Sequence, residues 1–261
     1  MKDQHTFAVC AYKESAYLEE CVQSLLAQTV PSTILIATST PNDHIKEIAN
    51  KYGIPLYINK GEAGITGDWN FARSCATTPF VTIAHQDDVY DPTFTEQAMK
   101  KAKKAKQPIL IFTDYFEVRN GERIYKNKLL RIKRFLNFGF KLSSKSRFIR
   151  RRVLSLGNAI CCPAVTFASE ACRDFTFDKS FRFACDWDAW ERLSKKKGAF
   201  LYVPKPLMGH RIHEESETTK LTAGDLRGEE EFRMFRRFWP DFIAKRLAKS
   251  YQKGADSNQL S

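Results

Sequence analysis

Residues 80–84 form a short, branched, apolar run, Phe80-Val81-Thr82-Ile83-Ala84, that breaks off in the acidic block His85-Gln86-Asp87-Asp88-Val89-Tyr90-Asp91-Pro92. Bounded by Pro79 and by the Asp- and Pro-containing turn, such a run reads as a strand buried in a covered sheet. The flanking chain supports a sheet of that kind. Residues 6–11 are a β-type run, and Tyr17, Leu18, Cys21, Val22, Leu25 and Leu26 then recur at helical spacing. Residues 32–40 repeat the pattern, with Ile45, Ile48 and Ala49 marking the helix, and residues 55–59 supply a third strand. Strand and helix alternate as a parallel sheet requires. A glycine-rich loop, residues 61–67, leads to a helix expected to open at Asp68, placed as its N-cap. That loop is no P-loop, because no Gly-Lys-Ser/Thr follows. A lysine-faced helix over residues 93–106 and a strand over residues 109–113 complete the first half.

Open α/β sheets bind ligands beyond the carboxyl ends of their strands, where Asp87 and Asp88 are expected to stand. Two adjacent carboxylates repel, and a divalent cation offsets that repulsion. A few oxygen ligands with room for phosphate oxygens suit Mg2+ or Mn2+. The alternative is a solvated Asp-rich turn.

Composition narrows the setting. With 261 residues, 43% hydrophobic and 28% charged, the chain is an ordinary globule with enough length for one large core. No apolar run approaches the roughly 20 residues that span a bilayer. The start Met1-Lys2-Asp3-Gln4-His5 lacks a signal-peptide core, so a cytoplasmic location is expected, including the inner face of the plasma membrane. Seven cysteines without a CxxC pair suggest reduced thiols. A formal charge of +12 and a pI near 9.4 imply an anionic partner: nucleic acid, an anionic membrane face or a diphosphate.

The acidic block at a strand end, followed by an aromatic residue and a proline, resembles the DXD-like motif of family 2 glycosyltransferases of the inverting, nucleotide-sugar-dependent GT-A type. The resemblance runs through most of residues 6–219. It implies an α/β GT-A fold: a Rossmann-like, mostly parallel central sheet flanked by helices, with a basic insertion and a C-terminal helical extension. Residues 1–222 would form the glycosyltransferase domain, with a nucleotide-binding part to about 115, the insertion at 120–152 and an acceptor part at 153–222. Residues 223–261 would form a basic amphipathic helix and tail. Where the family's block often opens with aspartate this chain has His85, so Asp87 and Asp88 carry the role alone, the first towards ribose and the second towards the metal. Ala11 and Tyr12 match the family's Thr-Tyr pair after the first strand, with Glu14 on the same loop. Thr38 and Ser39 stand where the family has an acidic pair that contacts the base; their hydroxyls can bond a pyrimidine. Asn70 matches the family's helix asparagine, and Gln86 joins this nucleotide-sugar set. The block Asp87-Asp88-Val89-Tyr90-Asp91 also spells the DDxxD pattern of prenyl-diphosphate enzymes, but those are all-helical and this chain is rich in strands.

Beyond residue 122 the chain turns basic, and from Arg123 to Arg152 it has no acid and many interleaved aromatics. A membrane-facing or acceptor-lining insertion is expected, because nothing resembles a base-reading nucleic-acid module; a mobile solvated loop is the alternative. Residues 158–168 read as a strand or strand-plus-turn, and residues 198–206 as the last strand. In Cys185-Asp186-Trp187-Asp188-Ala189-Trp190, helical spacing turns Trp187, Trp190 and Leu193 to a core, with Asp186 at the helix start. The resemblance makes Asp186 the catalytic base and puts Trp187 and Asp188 on the diphosphate or acceptor side, although Cys185 stands where the family often has Glu. His213 resembles the family's histidine that reaches metal or diphosphate, and Arg211 or Lys220 would add charge at the leaving group. Residues 225–252 read as a helical tail interrupted near Pro240, docked on the domain or on a membrane, with the final residues disordered.

The implied activity is a hexosyltransferase-type transfer from a UDP- or dTDP-sugar, with Mg2+ or Mn2+, to a glycan or lipid-linked acceptor in bacterial-type surface polysaccharide synthesis. Two rivals stay open: a metal-dependent nucleotide-sugar hydrolase, and a non-enzymatic polyanion- or membrane-binding protein.

Overall fold

The computed structural model describes residues 2–213 and 226–256. Lys220 and residues 257–261, expected to add charge and to be disordered respectively, lie outside the described residues. The centre is one sheet in the order β3-β2-β1-β4-β8-β6-β9-β5, with β7 paired to β6. Its first half, β1 His5–Ala11, β2 Thr33–Thr38, β3 Leu56–Ile58 and β4 Phe80–His85, is parallel throughout. Phe7, Ala8, Val9, Ile83 and Ala84 are wholly buried, as continuous apolar strands under helices on both faces must be.

The short β8, Val165–Ala168, enters antiparallel between β4 and β6 Pro108–Arg119. The expected strand over 158–168 is therefore trimmed: Cys162–Ala164 is a 3-10 turn containing Pro163, which has no N–H for a ladder. The last strand runs on past its expected end as β9, Ala199–Ile212, parallel to β6. Register shifts around Asp114 let it pass Pro204 and Pro206. β9 ends beside β5, Val89–Tyr90, which follows the acidic block. β7, Glu122–Ile124, folds back on β6 through Asn120 and Gly121, both at positive φ as a tight hairpin needs.

The helices α1 Leu18–Leu26, α2 Asp43–Lys51 and α4 Phe94–Ala102 pack on one sheet face, through Leu18, Val22, Ile45, Ile48, Phe94 and Ala98. α3 is Ile65–Ser74, starting three residues before the expected Asp68. Gly64 at φ +106 turns the chain into the helix, and the Asp68 carboxylate accepts the Gly64 N–H from inside the first turn, so Asp68 is not the N-cap.

The basic stretch is ordered as two helices. α5, Lys128–Leu142, is capped by Asn127, whose side chain accepts the Leu130 N–H. α6, Arg147–Leu154, is capped in the same way by Ser146 on the Ile149 N–H. Their inner faces and α7, Cys185–Ser194, pack on the other sheet face around Phe112, Phe140, Phe167, Trp187 and Trp190. The buried Arg150 is stabilised there by donating to the carbonyls of Gly198 and Lys196 and by lying over Phe200. The tail forms α8, Leu226–Arg236, and α9, Asp241–Asp256, broken at Pro240, and it docks on this face: Phe235 meets Trp187 edge-on at 4.9 Å. All seven cysteines are free.

The approach of β9 to β5 depends on Gly209, which lies opposite Val89. A Cβ there would come within 2.5 Å of the Phe116 ring and 2.8 Å of a Val89 methyl. Gly209→Ala is therefore expected to lower stability by about 1–3 kcal/mol, measured by urea unfolding, as overpacked sites do. A loss below about 0.5 kcal/mol would show that the strands part freely.

Candidate active site

The strand order reverses at β1, which has β2 on one side and β4 on the other; such a switch point opens a crevice at the carboxyl ends. Tyr12 follows β1 and Gln86 follows β4. The Gln86 side chain spans the crevice, donating to the Tyr12 carbonyl and accepting the Tyr12 N–H, both at 2.9 Å. Lys13, at φ +55, donates its N–H to Thr40 Oγ1 and sets its ammonium over the Tyr12 ring. Tyr12 and Glu14 are exposed on this lip, and Ala11 is buried as the last residue of β1.

The two hydroxyls expected to meet a base are engaged within the protein. Thr38 is buried and accepts the Thr40 N–H, while Ser39 donates to Asp68 Oδ2 at 2.8 Å. Asp68 also accepts from Asn59, so this network shapes the crevice wall. Asn70 likewise turns away from the expected role: its amide donates to the Phe177 carbonyl and accepts the Phe177 N–H, tying α3 to the segment before α7.

At the far end of β4, Asp88 is completely buried. Its Oδ1 accepts from the Arg211 N–H at 3.0 Å and from His210 Nδ1 at 3.1 Å. Its Oδ2 lies 3.7 Å from His85 Nδ1 and has no hydrogen-bond partner; nor has the buried His85 Nε2. Asp87 accepts from His213 Nε2 at 3.0 Å. Burial alone would raise Asp87, yet the His213 hydrogen bond and the nearby His85 and His210 hold its carboxyl below the usual range. Burial lowers His85 and keeps it neutral, as a metal-ligating imidazole must be, and His85 stacks on Trp69. His210 is raised: burial opposes its charge, but Asp88 and Asp87 outweigh that.

One ligand atom each from His85, Asp87 and Asp88 lies within 4.8 Å of the others. With two buried polar atoms left unpaired among them, these residues fit a divalent cation. His85 stands with the two acids in this cluster, and His213 contacts it through Asp87. The Arg211 guanidinium donates to the Asp87 carbonyl and to Glu20 and lies over the Tyr17 ring, which braces the acidic turn.

Asp186 occupies the first turn of α7. Its Oδ2 accepts from Asn158 Nδ2 and its Oδ1 from the Trp187 N–H, both at 2.7 Å. Burial pushes its carboxyl up to about 6 despite those two donors. Burial raises the Cys161 thiol, with Lys133 opposing that rise and Asp88 and Asp186 adding to it. Lys133 on α5 holds its ammonium 5.1 Å from the centre of the Tyr115 ring, and Tyr115 in turn meets His210 edge-on.

Trp187 is buried against Phe235 and donates its indole N–H to the Leu154 carbonyl. Asp188 is wholly buried between Arg192 and Arg237. Helical periodicity already turned Trp187 inward. Sequence reading overlooked His210, Asn158, Tyr17, Glu20, Lys133 and Tyr115. His210 carried a signal, standing within the motif around His213; Asn158 carried none, since its carboxylate partner is 28 residues away.

With this geometry in hand, the comparisons with known proteins are direct. The family model "Glycosyl transferase family 2" matches residues 6–171. An uncharacterized glycosyltransferase of Haemophilus influenzae is 22% identical over 243 residues, covering 81% of this chain and 69% of its own. Among solved structures, S. aureus TarS 1-349 superposes with a TM-score of 0.65 at 12% identity, over 94% of this chain and 69% of that one. Its complex with UDP-GlcNAc gives 0.63 at 15%, over 94% and 70%. The mannosyltransferase PcManGT from Pyrobaculum calidifontis, in complex with GDP-Man and Mn2+, gives 0.68 at 14%, over 97% and 70%. At these identities the structures establish the shared GT-A fold. The family match covers more than half of the chain, from β1 through the acidic block to β8, and so the chain belongs to glycosyl transferase family 2 and is a glycosyltransferase.

Proposed function

We propose that this glycosyltransferase moves a sugar, with inversion, from a UDP- or dTDP-sugar to a hydroxyl of a glycan or lipid-linked acceptor in surface polysaccharide synthesis. The observation that carries the reading is the cluster of His85, Asp87 and Asp88 with two buried atoms left unpaired. A second acid, Asp186 in the first turn of α7, is pushed up to about 6. The complexes of neighbours with UDP-GlcNAc and with GDP-Man and Mn2+ support a nucleotide-sugar donor and a divalent ion.

Tyr12, steadied by Gln86, would stack against the base on the open lip, with Ala11 and Glu14 lining its approach. Asp87 would orient the ribose. His85, Asp87 and Asp88 would hold Mg2+ or Mn2+, with His213 positioned through Asp87. When bound, that ion supplies the positive charge that stabilises the departing diphosphate. Asp186 would accept the proton of the acceptor hydroxyl as it attacks. Asn158 would keep one lone pair of that carboxylate aimed at the cleft, and a base with a pKa near working pH is matched to the task.

Two measurements test these roles. A base works ionised, and a raised pKa delays ionisation, so kcat/KM should climb as pH rises through about 6. Asp186→Asn should cut nucleoside diphosphate release by at least ~100-fold, remove that acidic limb, and leave the Kd for donor within about threefold. An unchanged limb in the variant would assign the titration to another group. For the cation site, release measured across UDP-, dTDP- and GDP-sugars should require Mg2+ or Mn2+ and stop with EDTA. Asp88→Asn should lower Mn2+ affinity, read by paramagnetic resonance, by at least ~10-fold. Full turnover in EDTA would remove the metal from the reaction.

A further inference from the structure

The outer face of α5 and α6 carries large apolar side chains in water. Phe135 is 79% exposed, Leu142 74%, Phe148 70%, Phe138 54% and Ile132 48%. On α5 these residues follow one another at spacings of three and four, opposite the buried Leu130, Asn137 and Phe140, so they form one stripe. Single exposed apolar residues are ordinary; a row of five on adjoining helices is not.

Charge identifies what covers the stripe. Residues 123–152 hold twelve Lys and Arg and no Asp or Glu. Arg134, Arg150 and Arg151 are engaged by Asp114 and the Tyr115 carbonyl, by backbone carbonyls, and by Glu191, while Lys133 lies over the Tyr115 ring. The other eight, Arg123, Lys126, Lys128, Arg131, Lys141, Lys145, Arg147 and Arg152, are exposed. Among the described residues, none of the eight forms an ion pair with a carboxylate. Lys141 and Arg152 instead lie over the exposed rings of Phe138 and Phe148. A second copy of this chain seated on the same patch would set cation against cation. An anionic bilayer supplies the complement to both features, with phosphates for the basic rim and acyl chains for the rings. No described helix is long and apolar enough to cross a membrane, so the contact is one that lies on the surface.

We infer that α5 and α6 form a docking face for anionic lipid bilayers, with Phe135, Phe138, Leu142 and Phe148 inserted below the headgroups and the surrounding Lys and Arg at the phosphate level. This goes beyond the donor chemistry and stands or falls independently of Asp88 and Asp186.

Vesicle co-sedimentation of the full chain tests it, with phosphatidylcholine alone and with phosphatidylcholine containing 30% phosphatidylglycerol, a composition near the anionic range that polybasic surfaces detect. Binding should be at least ~10-fold stronger to the anionic vesicles and should weaken in high salt. Phe135→Ser with Phe148→Ser should lower it ~10-fold or more, as should Arg131→Glu with Lys141→Glu, while donor turnover in solution stays within twofold of the parent. Equal binding to both vesicle types overturns the proposal, and so does unchanged binding by either double variant. A concentration-dependent dimer that the Phe variants dissolve, without vesicle binding by the parent, would overturn it in favour of self-association.

Discussion

The site is held by one buried carboxylate. Asp88 has no contact with water, and a carboxylate in that position survives only if its lone pairs are met by donors or cations. Oδ1 is met from β9, by the Arg211 N–H and His210. That pairing draws the end of β9 onto the turn after β4, and the Arg211 side chain then ties the same turn to Glu20 on α1. Three elements far apart in sequence are thereby joined at one acidic turn. The second oxygen is left without a donor beside His85. Under the proposed reading it would face the cation, so that stability and ligand binding would share one residue, each drawing on a different lone pair.

Much of this was readable beforehand, and the reasons are local. The strands β1, β2 and β4 are continuous apolar runs, and α1 and α2 have one-sided periodicity, so each element declares itself within ten residues. The acidic block was legible because carboxylates end an apolar strand. What stayed illegible depended on long-range pairing. Thr38, Ser39 and Asn70 are polar side chains near the crevice, and nothing local says that their partners would be Thr40, Asp68 and the Phe177 backbone. Trp187 was assigned inward by periodicity and towards the site by resemblance, and periodicity was the better guide.

The basic stretch shows how composition misleads when taken as a whole. Its twelve cations fall into three populations with different physics. Arg134, Arg150 and Arg151 are held within the fold by carbonyls and by Asp114 and Glu191, as a guanidinium fork permits. Lys133 stands over the Tyr115 ring. The eight outward residues lack carboxylate partners among the described residues and frame the apolar stripe. A net charge of +12 therefore reports chiefly on one face of the molecule.

Asp186 and Asp188 make the corresponding point for acids. They lie two residues apart in the first turn of one helix, where the peptide dipoles favour negative charge for both. Asp188 is clamped between two guanidinium groups, Arg192 and Arg237, which joins α7 to the C-terminal helices. Asp186 receives only neutral donors, the Asn158 amide and the Trp187 N–H, and burial outweighs them. Neutral donors orient the group while leaving its proton affinity high. Under the proposed reading, the charge of their hydrogen-bond partners would split the same residue type on the same turn between architecture and chemistry.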